Sequence, residues 1–338
     1  MLHKKILYIG PLNKNGTCYQ RLITFERIFL KVIKIDTYVY KHNTLVFYLN
    51  AILNKFNIWL DFVNANNLIA KQNETYDIIW IDKGLTIKKI SLKSLKKNIN
   101  TKIIHYSPDD MINPKNQSYR FLRSLSFYDL HVTTKSYNVT ELISMGAKNA
   151  VFINNCFDDI YHIKIQKLNQ DFDIGFIGSF EIERANMLLI LAIKKYNLAI
   201  RGNWPKKWVK IFQKYSIDIK PIELSYPEYN LFISNCKINL CFLRKVNRDL
   251  QTTRSIEIPA MGGFMLAEDT VEHRLLFESE KEAVFFKNEF DFEEKINYYI
   301  NESNLRIQIA DNGYKKTLNS GYSNFNTFYK LFNDILFI

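Results

Sequence analysis

The sequence predicts an α/β protein of two Rossmann-like domains, each built on a doubly wound parallel sheet. Two observations support this fold class. Short apolar runs that end at glycine or at polar residues alternate with helical segments, and the alternation that begins near residue 5 begins again near residue 173. The chain has 338 residues, 47% of them hydrophobic and 24% charged, which is enough for two globular cores.

The first half of the chain supplies six strand candidates. Residues 5–10 form an apolar run that ends in glycine, a polar loop follows, and Thr17 opens a helix that we expect to reach about residue 31. The loop lacks the G-x-G-x-x-G spacing, which argues against a dinucleotide site. The other strand candidates are residues 32–37, 76–82, 102–107, 128–134 and 149–155.

Residues 45–63 form an apolar, aromatic-rich stretch with helical spacing. Asn50, Lys55 and Asp61 interrupt it, so it is not expected to span a bilayer. Packing against the core is the expected use of its apolar face. The alternative is a peripheral face that contacts a membrane.

Two acids follow the strand candidate at residues 102–107, which also contains His105. Side chains at the carboxyl ends of strands line the ligand crevice of open α/β sheets. A carboxylate there could accept a proton from an attacking hydroxyl, so Asp109 and Asp110 are catalytic candidates. His105 is a candidate for contacting the molecule that carries the hydroxyl, the acceptor. The alternative is that Asp109 caps the next helix and His105 packs in the core.

The second half of the chain repeats the alternation after a polar, irregular segment at 157–171, which is the predicted linker. Each strand candidate again ends at polar residues or glycine, as a buried parallel strand does. The strand candidates are residues 173–178, 198–202, 218–222, 237–243 and 264–267, and the helix candidates of the tail are residues 290–301, 305–318 and 324–337.

Residues 249–267 carry the strongest pattern for a ligand site. Thr252 or Thr253 can cap a helix whose free amides and dipole would hold an anion such as a phosphate. Arg254 and Glu257 are three residues apart and share a helix face, which suits a diphosphate beside ribose hydroxyls. Pro259 is expected to kink or shorten the helix, and Gly262-Gly263 to end it. An ordinary capped helix with a surface ion pair is the alternative.

Other candidates follow neighbouring strands of the second half. Gly178 and Ser179 precede a helix start with Arg184, where glycine lets a backbone approach a ligand. Tyr226, after the strand candidate 218–222, could stack on a base, although a core position is the commoner use of tyrosine. The run of residues 244–249 adds cations beside the expected anion site, and the donor-site candidates in it are Lys245, Asn247 and Asp249.

Asp249 and Glu257 are separated by seven residues, and a run that ends in Gly262-Gly263 follows the second acid. This pattern resembles the acid–seven–acid motif of retaining GT-B glycosyltransferases, with Asp in place of the usual first Glu. The continuation at residues 262–273 and 276–286 resembles the glycosyltransferase family of the spore-maturation protein CgeB. The resemblance covers most of the chain and is strongest at residues 171–313, and residues 106–110 and 176–184 also resemble this family.

The resemblance implies a GT-B fold, with two domains facing across a cleft and a last helix that crosses back to the first domain. The implied limits are residues 1–160 for the acceptor side, 171–320 for the donor side and 321–338 for the crossing helix. Gly16, Thr17 and Arg21 would line the acceptor side, although a connecting loop and a solvated arginine are the alternative.

The same resemblance implies the transfer of a sugar from a nucleoside diphosphate sugar to a hydroxyl, in the synthesis of a surface glycan such as a capsule or O-antigen. Arg184, Arg254 and Lys245 would balance the diphosphate without a metal or other cofactor. Glu257 would hold the ribose, and Asp249 would lie near the sugar ring. Retention of the anomeric configuration is implied, although the shorter side chain of Asp249 weakens the transfer of that role.

The formal net charge of +12 favours anionic partners, which include nucleotides, nucleic acids and an anionic membrane face. The expected partners are a nucleotide sugar and a glycan or lipid-linked acceptor, and a peripheral contact with an anionic membrane is an option. The four cysteines show no metal or disulfide spacing, and an apolar strand begins directly after Lys5, so a cytoplasmic enzyme is expected, with the inner membrane face as an option.

Three other functions remain open at this stage. A nucleotide-sugar epimerase shares the fold, and a noncatalytic sugar-nucleotide binder would share the site. A basic nucleic-acid-binding protein would mass its cations on one surface with interleaved aromatics. The arginines at predicted strand ends favour a pocket over such a surface, so nucleic acid is not the expected partner.

Overall fold

The computed structural model describes residues 2–40, 44–165 and 170–336. The chain forms two compact units: unit 1 contains Met1–Asn154 and Thr327–Ile338, and unit 2 contains Asn155–Asn326. Each unit contains a parallel six-stranded sheet with flanking helices, which confirms the predicted fold class. Part of the predicted linker, residues 166–169, and the predicted end of the last helix at residue 337 lie outside the described residues.

The sheet of unit 1 has the strand order β2-β1-β3-β4-β5-β6, and all of its pairings are parallel. The strands in the middle of the sheet are buried because helices cover them. The strands are β1 (Leu2–Gly10), β2 (Phe29–Asp36), β3 (Ile78–Asp82), β4 (Lys102–Ser107), β5 (Leu130–Thr133) and β6 (Ala150–Phe152). The helices are α1 (Thr17–Ile28), α2 (Thr44–Lys55), α3 (Ala65–Ala70), α4 (Lys89–Leu95), α5 (Tyr119–Ser124) and α6 (Asn138–Ser144).

The sheet of unit 2 has the order β12-β11-β10-β7-β8-β9 and is also parallel. Its strands are β7 (Phe172–Ile177), β8 (Leu198–Arg201), β9 (Asp218–Lys220), β10 (Cys236–Cys241), β11 (Met265–Glu268) and β12 (Val284–Phe286). Its helices are α7 (Ile182–Ile193), α8 (Lys206–Lys214), α9 (Tyr226–Ser234), α10 (Thr253–Ala260), α11 (Val271–Leu276), α12 (Glu289–Asn301) and α13 (Ser303–Asn319).

The last helix, α14 (Asn324–Leu336), returns the chain to unit 1 as predicted. Its Phe328 and Phe332 are fully buried, and both rings contact Phe25 of α1 edge-on at 5.3 and 5.0 Å between centroids. Phe332 also contacts Phe29 at 4.7 Å. Edge-to-face packing of this kind stabilises a core beyond the area it buries. The C-terminal segment is therefore part of the core of unit 1.

The helix α2 differs from its predicted use. None of its residues is buried, so the prediction that its apolar face packs into the core is wrong. Leu45 is 80% exposed and Ile52 52% exposed, and Phe56, directly after the helix, is 73% exposed. No helix in the described part of the chain is long and apolar enough to cross a membrane.

The buried histidines of the described residues include His105, His131 and His273. His105 and His131 lie side by side on β4 and β5, and His273 lies on α11. Burial lowers the pKa of His131 to about 4 and lowers the pKa values of His105 and His273 as well. The positive charge of one ring also disfavours the protonation of the other in the His105–His131 pair.

We therefore expect the protein to lose stability as the pH falls below about 6.5, the ordinary pKa of histidine in an unfolded chain. Below that pH the unfolded chain binds protons that the folded chain does not, so each acid step favours unfolding. His131 alone contributes a loss of about 1 kcal/mol between about pH 6.5 and 5.5, and His105 and His273 add to it. Denaturant unfolding across this range measures the slope. Stability that is flat down to pH 5.5 would contradict the neutral burial of these rings, and the exposed His3 offers a control, since His3→Gln should leave the slope unchanged.

Candidate functional site

The strand order in the sheet of unit 2 changes direction between the neighbouring strands β7 and β10. From β7 the chain proceeds to β8 and β9 at one edge, and then continues from β10 to β11 and β12 on the other side. In open α/β sheets, ligands bind at the carboxyl ends of the two strands that flank such a reversal. The residues that follow these strands are Gly178 and Ser179 after β7, and Phe242 after β10. The topology thus selects the place where the predicted site should lie.

Arg184 bridges the ends of these two strands. Its Nη1 donates to the carbonyl oxygen of Ser179 at 3.1 Å, and its Nη2 donates to the carbonyl oxygen of Phe242 at 2.9 Å. The residue is 3% exposed, its Nε has no hydrogen-bond partner, and no carboxylate of the described residues forms an ion pair with it. Besides the two carbonyl groups, only the ring of Phe176, at 5.8 Å, faces the guanidinium. A buried cation without a carboxylate partner is costly. Arg184 is therefore a site of uncompensated positive charge.

Arg254 adds to this positive charge. It lies in the first turn of α10, and no described side chain forms a hydrogen bond or an ion pair with it. Burial, and after it the charge of Arg254, lowers the pKa of Arg184 to about 10, while Glu181 opposes the shift. Two arginines close enough to disfavour each other's charge provide a strong attraction for an anion between or beside them.

The start of α10 is built to hold its shape. Thr252 and Ser255 form a capping box, in which Thr252 N–H donates to Ser255 Oγ at 3.0 Å and the side chain of Thr252 accepts from the amide of Ser255. The amides of Thr253 and Arg254, which precede that of Ser255, donate to no described acceptor. These two amides and the positive end of the helix dipole remain available for an anion.

His273 fixes the capping box from behind. Its Nδ1 lies 2.6 Å from the carbonyl oxygen of Glu268 and therefore carries the ring proton, so Nε2 accepts from the hydroxyl of Ser255 at 2.7 Å. His273 and Ser255 are fully buried, and the imidazole stacks on Phe285. The string that ends at His273 carried part of the family resemblance, and in the structure His273 supports the start of α10.

Two further cations of the region are already paired. Arg244 Nε donates to Glu181 Oε1 at 2.9 Å, and Lys245 pairs with Glu268 at the end of β11. Both basic side chains are partly exposed, at 42% and 58%. For Lys245 to bind a diphosphate as predicted, its ammonium group must leave Glu268 or contact the carboxylate and the diphosphate together.

Glu257 lies one turn further along α10 and is 6% exposed. Its Oε2 accepts from the hydroxyl of Tyr229 at 2.9 Å, and its Oε1 lies 3.6 Å from His162 Nε2. His162 Nδ1 accepts from the amide of Asp158 at 2.8 Å, so the remaining ring proton is on Nε2 and faces Glu257. The carboxylate is therefore held in place from two sides, which suits a group that must accept from ligand hydroxyls.

Tyr226 begins α9 beside this carboxylate network. Its ring packs against Tyr161 at 4.5 Å and lies 5.9 Å from the ring of His162. The side chain is partly exposed. Ser225, the residue before it, caps the helix and forms a capping box with Glu228. An aromatic face that is ordered but not fully buried is compatible with stacking on a base.

The loop between β10 and α10 contains the remaining donor-site candidates. Asp249 folds back on Arg244, whose amide donates to Asp249 Oδ2 at 3.3 Å, and Arg248 between them has a left-handed φ of 48°. Asn247 and Asp249 are 4% and 9% exposed. The backbone thus brings both side chains to the carboxyl-terminal edge of the sheet, next to Arg184 and α10.

Gly178 has a backbone role. Its carbonyl oxygen accepts from the indole Nε1 of Trp204 at 3.0 Å, and a Cβ on the neighbouring Gly202 would lie 2.3 Å from that oxygen. Gly202 also has a φ of +121°, which favours glycine. The two loops therefore pass each other in backbone contact. The exposed Ser179 contributes its carbonyl oxygen to Arg184.

Unit 1 has its own reversal point, between β1 and β3. Asp82 at the end of β3 accepts from Arg21 Nε and from the Tyr8 hydroxyl, each at 2.7 Å. Arg21 is 4% exposed and its guanidinium lies over the ring of Tyr106 at 4.3 Å. The ion pair with Asp82 buries the side chain of Arg21. This corrects both predictions for Arg21, that it contacts an acceptor and that it is solvated. Gly16 and Thr17, partly exposed at the start of α1, remain acceptor-side candidates.

Of the predicted catalytic acids of unit 1, one is accessible. The Asp109 side chain is 27% exposed and lies 3.3 Å from Lys83 Nζ. Asp110 is 2% exposed and accepts from Asn138 Nδ2 and from the amide of Ile112, so it stabilises the turn after β4 and does not face an acceptor. His105 is buried against Phe121 and Tyr128, so its acceptor-side assignment is corrected in the same way.

Several residues of these sites were not predicted. His162 lies in the segment taken as a linker, which carried no pattern, and Tyr229 looks in sequence like any half-buried helix residue. Asp82 had a usable signal, since it is an acid at the end of an apolar strand beside Lys83. No group of three or more His, Cys, Asp or Glu in the described residues is arranged to hold a metal ion, and the four cysteines form no disulfide with one another.

Comparisons with known proteins agree with this geometry. Residues 184–328, which include Arg184 and all of α10, match a family model described as glycosyl transferase-like. No curated protein matches the chain by sequence.

Solved structures match the whole chain. HepE of Anabaena, solved with UDP and glucose, has a TM-score of 0.71 at 14% identity, over 99% of this chain and 100% of that one. Sucrose-phosphate synthase of Thermosynechococcus elongatus has a TM-score of 0.65 at 11% identity, over 98% and 99%. A Listeria monocytogenes protein assigned as a UDP-N-acetylglucosamine 2-epimerase has a TM-score of 0.58 at 12% identity, over 99% and 96%. These similarities establish the GT-B fold.

Proposed function

We propose that the protein is a glycosyltransferase that moves a sugar from a UDP-sugar to a hydroxyl acceptor. The observation that carries this proposal is Arg184, a buried cation with no carboxylate partner at the reversal point of the sheet of unit 2. A diphosphate supplies the missing negative charge. The glycosyl transferase-like family model supports the reaction class, and the complexes of HepE with UDP and with UDP-glucose support the choice of donor.

Each donor-site residue has a role in this proposal. Arg184, Arg254 and the amides of Thr253 and Arg254 hold the diphosphate, since guanidinium groups and helix starts both bind phosphate oxygens. Glu257 accepts from the ribose hydroxyls, in the orientation set by Tyr229 and His162. Gly178 and Ser179 allow the diphosphate to approach the backbone, Tyr226 stacks on the base, and Asn247 and Asp249 bond the sugar hydroxyls.

The same positive charges assist the chemistry. When the glycosidic bond to the donor breaks, negative charge develops on the β-phosphate of the leaving UDP. Preorganised cations and amides stabilise that charge more in the transition state than in the bound substrate. Arg184, Arg254 and the start of α10 are placed for this role, with Lys245 as a further contributor, and we propose a metal-independent transfer that retains the anomeric configuration.

On the acceptor side, Asp109 is the remaining candidate for holding the attacking hydroxyl. In a transfer that retains the configuration, the hydroxyl attacks on the face that UDP leaves, and its proton passes to the departing β-phosphate. The positive charge of Lys83 beside it favours the ionised carboxylate. We propose a glycan or lipid-linked acceptor, as in the synthesis of a surface polysaccharide. Gly16 and Thr17 would contribute to its binding.

A thermal-shift screen with UDP, GDP, CDP and their sugars tests the donor assignment. A ligand present at about 100 times its Kd should stabilise the protein by about 2.7 kcal/mol, and we expect this from UDP and at least one UDP-sugar. Release of UDP only when an acceptor is present would separate a transferase from a noncatalytic binder. No shift with any nucleoside diphosphate would contradict the proposal.

We expect Asp249→Asn to weaken the binding of the UDP-sugar about 10-fold while leaving the binding of UDP unchanged. The reason is that a carboxylate contact to a sugar hydroxyl contributes about 1.5–3 kcal/mol and exists only when the sugar is present. Titration calorimetry with both ligands measures the difference. Equal weakening of UDP and UDP-sugar would place Asp249 at the nucleotide instead.

A nucleotide-sugar epimerase is the second candidate, and the similarity to the Listeria protein favours considering it. An epimerase changes its substrate without an acceptor, whereas a transferase needs one. Incubation of UDP-N-acetylglucosamine with the protein alone, followed by product analysis, separates the two. Epimerised product at a catalytic rate would replace the transferase proposal.

A further inference from the structure

The outward face of α2 is an apolar stripe with no partner in the described residues. Leu45, Tyr48, Leu49, Ile52 and Phe56 recur at the spacing of one helix face, and they are 80%, 62%, 44%, 52% and 73% exposed. We call these five residues the α2 stripe. A soluble monomer seldom leaves so many large apolar side chains together in water, and such a patch usually marks an interaction surface.

The opposite face of the same helix is already used. Phe47, Asn50 and Asn54 line a cavity of about 240 Å³ in unit 1, together with Asp82 and Lys83 at the carboxyl-terminal edge of the sheet. The half-buried residues of the helix are Val46, Phe47, Asn50, Leu53 and Asn54, and three of these five are apolar. The helix therefore presents apolar side chains on both faces, whereas an ordinary amphipathic helix on a globular core has them on the inward face alone.

A cluster of cations lies on α4, α5 and the residue before α4. Lys88, Lys89, Lys93, Arg120 and Arg123 surround a cavity of about 450 Å³ that has no acidic lining residue. No carboxylate of the described residues forms an ion pair with any of them. We call these five residues the basic cluster. Ile90 and Tyr119, 74% and 71% exposed, complete the lining of the same cavity.

The α2 stripe and the basic cluster are joined by the segment after α2. Arg120 Nη1 donates to the carbonyl oxygen of Trp59 at 2.9 Å, and Leu60 lines a second cavity together with Lys88 and Ile90. The one acid in that cavity, Asp61, accepts from the amides of Ala65 and Asn66 and from the side chain of Asn66. Exposed apolar groups and unpaired cations therefore continue from one surface to the other.

We propose that unit 1 docks on an anionic lipid bilayer through the α2 stripe and the basic cluster. The apolar side chains enter the acyl boundary, and the cations meet the phosphates of the headgroups. Nucleic acid would also attract the cations. The exposed rings of Tyr48, Phe56 and Tyr119 can stack on bases, whereas the aliphatic Leu45, Leu49, Ile52 and Ile90 offer no ring. A bilayer therefore accounts for both kinds of apolar side chain, and nucleic acid for only one.

Vesicle sedimentation tests the proposal on the full-length protein. We expect binding to vesicles that contain about one third phosphatidylglycerol and little binding to pure phosphatidylcholine. Replacing Lys88, Lys93 and Arg123 together by Gln should lower the partition coefficient about 100-fold, since each cation near the surface contributes a factor of about 5. Leu45→Ser combined with Ile52→Ser should lower it at least 10-fold.

Matched controls lie on unit 2. Lys206, Lys207 and Lys210 replaced by Gln remove the same charge from α8, and Ile307→Ser with Leu318→Ser removes exposed aliphatic groups from α13. These controls should bind vesicles as the parent does. Binding of UDP should be unchanged in every variant, so this proposal and the donor-site proposal fail independently.

Three outcomes would overturn the docking proposal. One is the absence of binding to anionic vesicles. Another is binding that the two surface variants reduce no more than their controls do. The third is tight binding of a single-stranded oligonucleotide that the charge variant abolishes, with no vesicle binding, which would assign the basic cluster to nucleic acid.

Discussion

Replacement of Arg184 by Met is expected to abolish donor use without weakening the unliganded protein. The affinity for UDP should fall at least 100-fold, and kcat/KM for transfer at least 1000-fold. The second loss is larger because the arginine opposes charge that grows on the leaving diphosphate as the bond breaks. Titration calorimetry and initial rates of UDP release measure the two quantities.

The stability of this variant is the more specific part of the prediction. Arg184 is buried without a carboxylate, its Nε is unsatisfied, and the charge of Arg254 disfavours its own. Removing such a cation relieves both its desolvation and the repulsion, which offsets the loss of two bonds to carbonyl groups. The melting temperature without ligand should therefore be equal to or above that of the parent.

Arg274→Gln is the matched control, since Arg274 lies in the same unit, is 60% exposed and is paired with Asp269. It should change neither UDP affinity nor transfer. If Arg184→Met binds UDP as the parent does, the diphosphate is not held at this reversal point. If the variant does not fold, Arg184→Lys distinguishes a structural role, because a lysine keeps the charge but lacks the forked donors that reach both carbonyl groups.

Replacement of Glu257 by Ala is expected to lower the affinity for UDP at least 100-fold while the fold persists. In the proposed function this carboxylate accepts from both ribose hydroxyls, and two charged hydrogen bonds of about 1.5–3 kcal/mol each give a loss of that size. Unlike the arginine variant, this one should be less stable without ligand by about 1–3 kcal/mol. The reason is that it leaves the Tyr229 hydroxyl and His162 Nε2 without their acceptor.

Two further variants separate these contributions. Glu257→Gln keeps an oxygen for Tyr229, so it should recover stability but not UDP affinity. Glu278→Ala, at an exposed acid of the same unit, should change neither quantity. A Glu257→Ala protein that binds UDP as tightly as the parent would show that another group holds the ribose.

Most of the fold was predictable because it rests on local patterns. Buried parallel strands are apolar runs that end at glycine or polar residues, so all six strands of unit 1 and five of unit 2 were located within a few residues. The end of α1 was placed at residue 31 instead of Ile28, since β2 already begins at Phe29. Phe29 packs against Phe332, which comes from the opposite end of the chain, and no local pattern reveals this contact.

The donor site was predictable in part for the same reason. Arg184 and Arg254 lie in the first turns of helices that sequence can place, and Glu257 follows Arg254 by three residues on α10. Their joint role in binding a donor stays a prediction. Tyr229 and His162 were not predictable, because their role depends on how separate segments meet around Glu257.

The wrong predictions concern residues whose burial or exposure cannot be read from the sequence pattern. Asp110 and His105 follow the expected pattern along β4 but face inward, and Arg21 is taken up by Asp82. The apolar face of α2 was assigned to the core, whereas the structure turns it outward. Helical periodicity identifies an apolar face but does not tell whether protein, lipid or a partner covers it.

The central claim is that the carboxyl-terminal edge of the sheet of unit 2 holds a diphosphate. Calorimetric titration of UDP and of uridine compares two ligands that differ only in that group. We predict that UDP binds at least 100-fold more tightly than uridine, and that Arg184→Met removes most of the difference. Equal affinities for UDP and uridine, or a difference that Arg184→Met leaves intact, would contradict the claim.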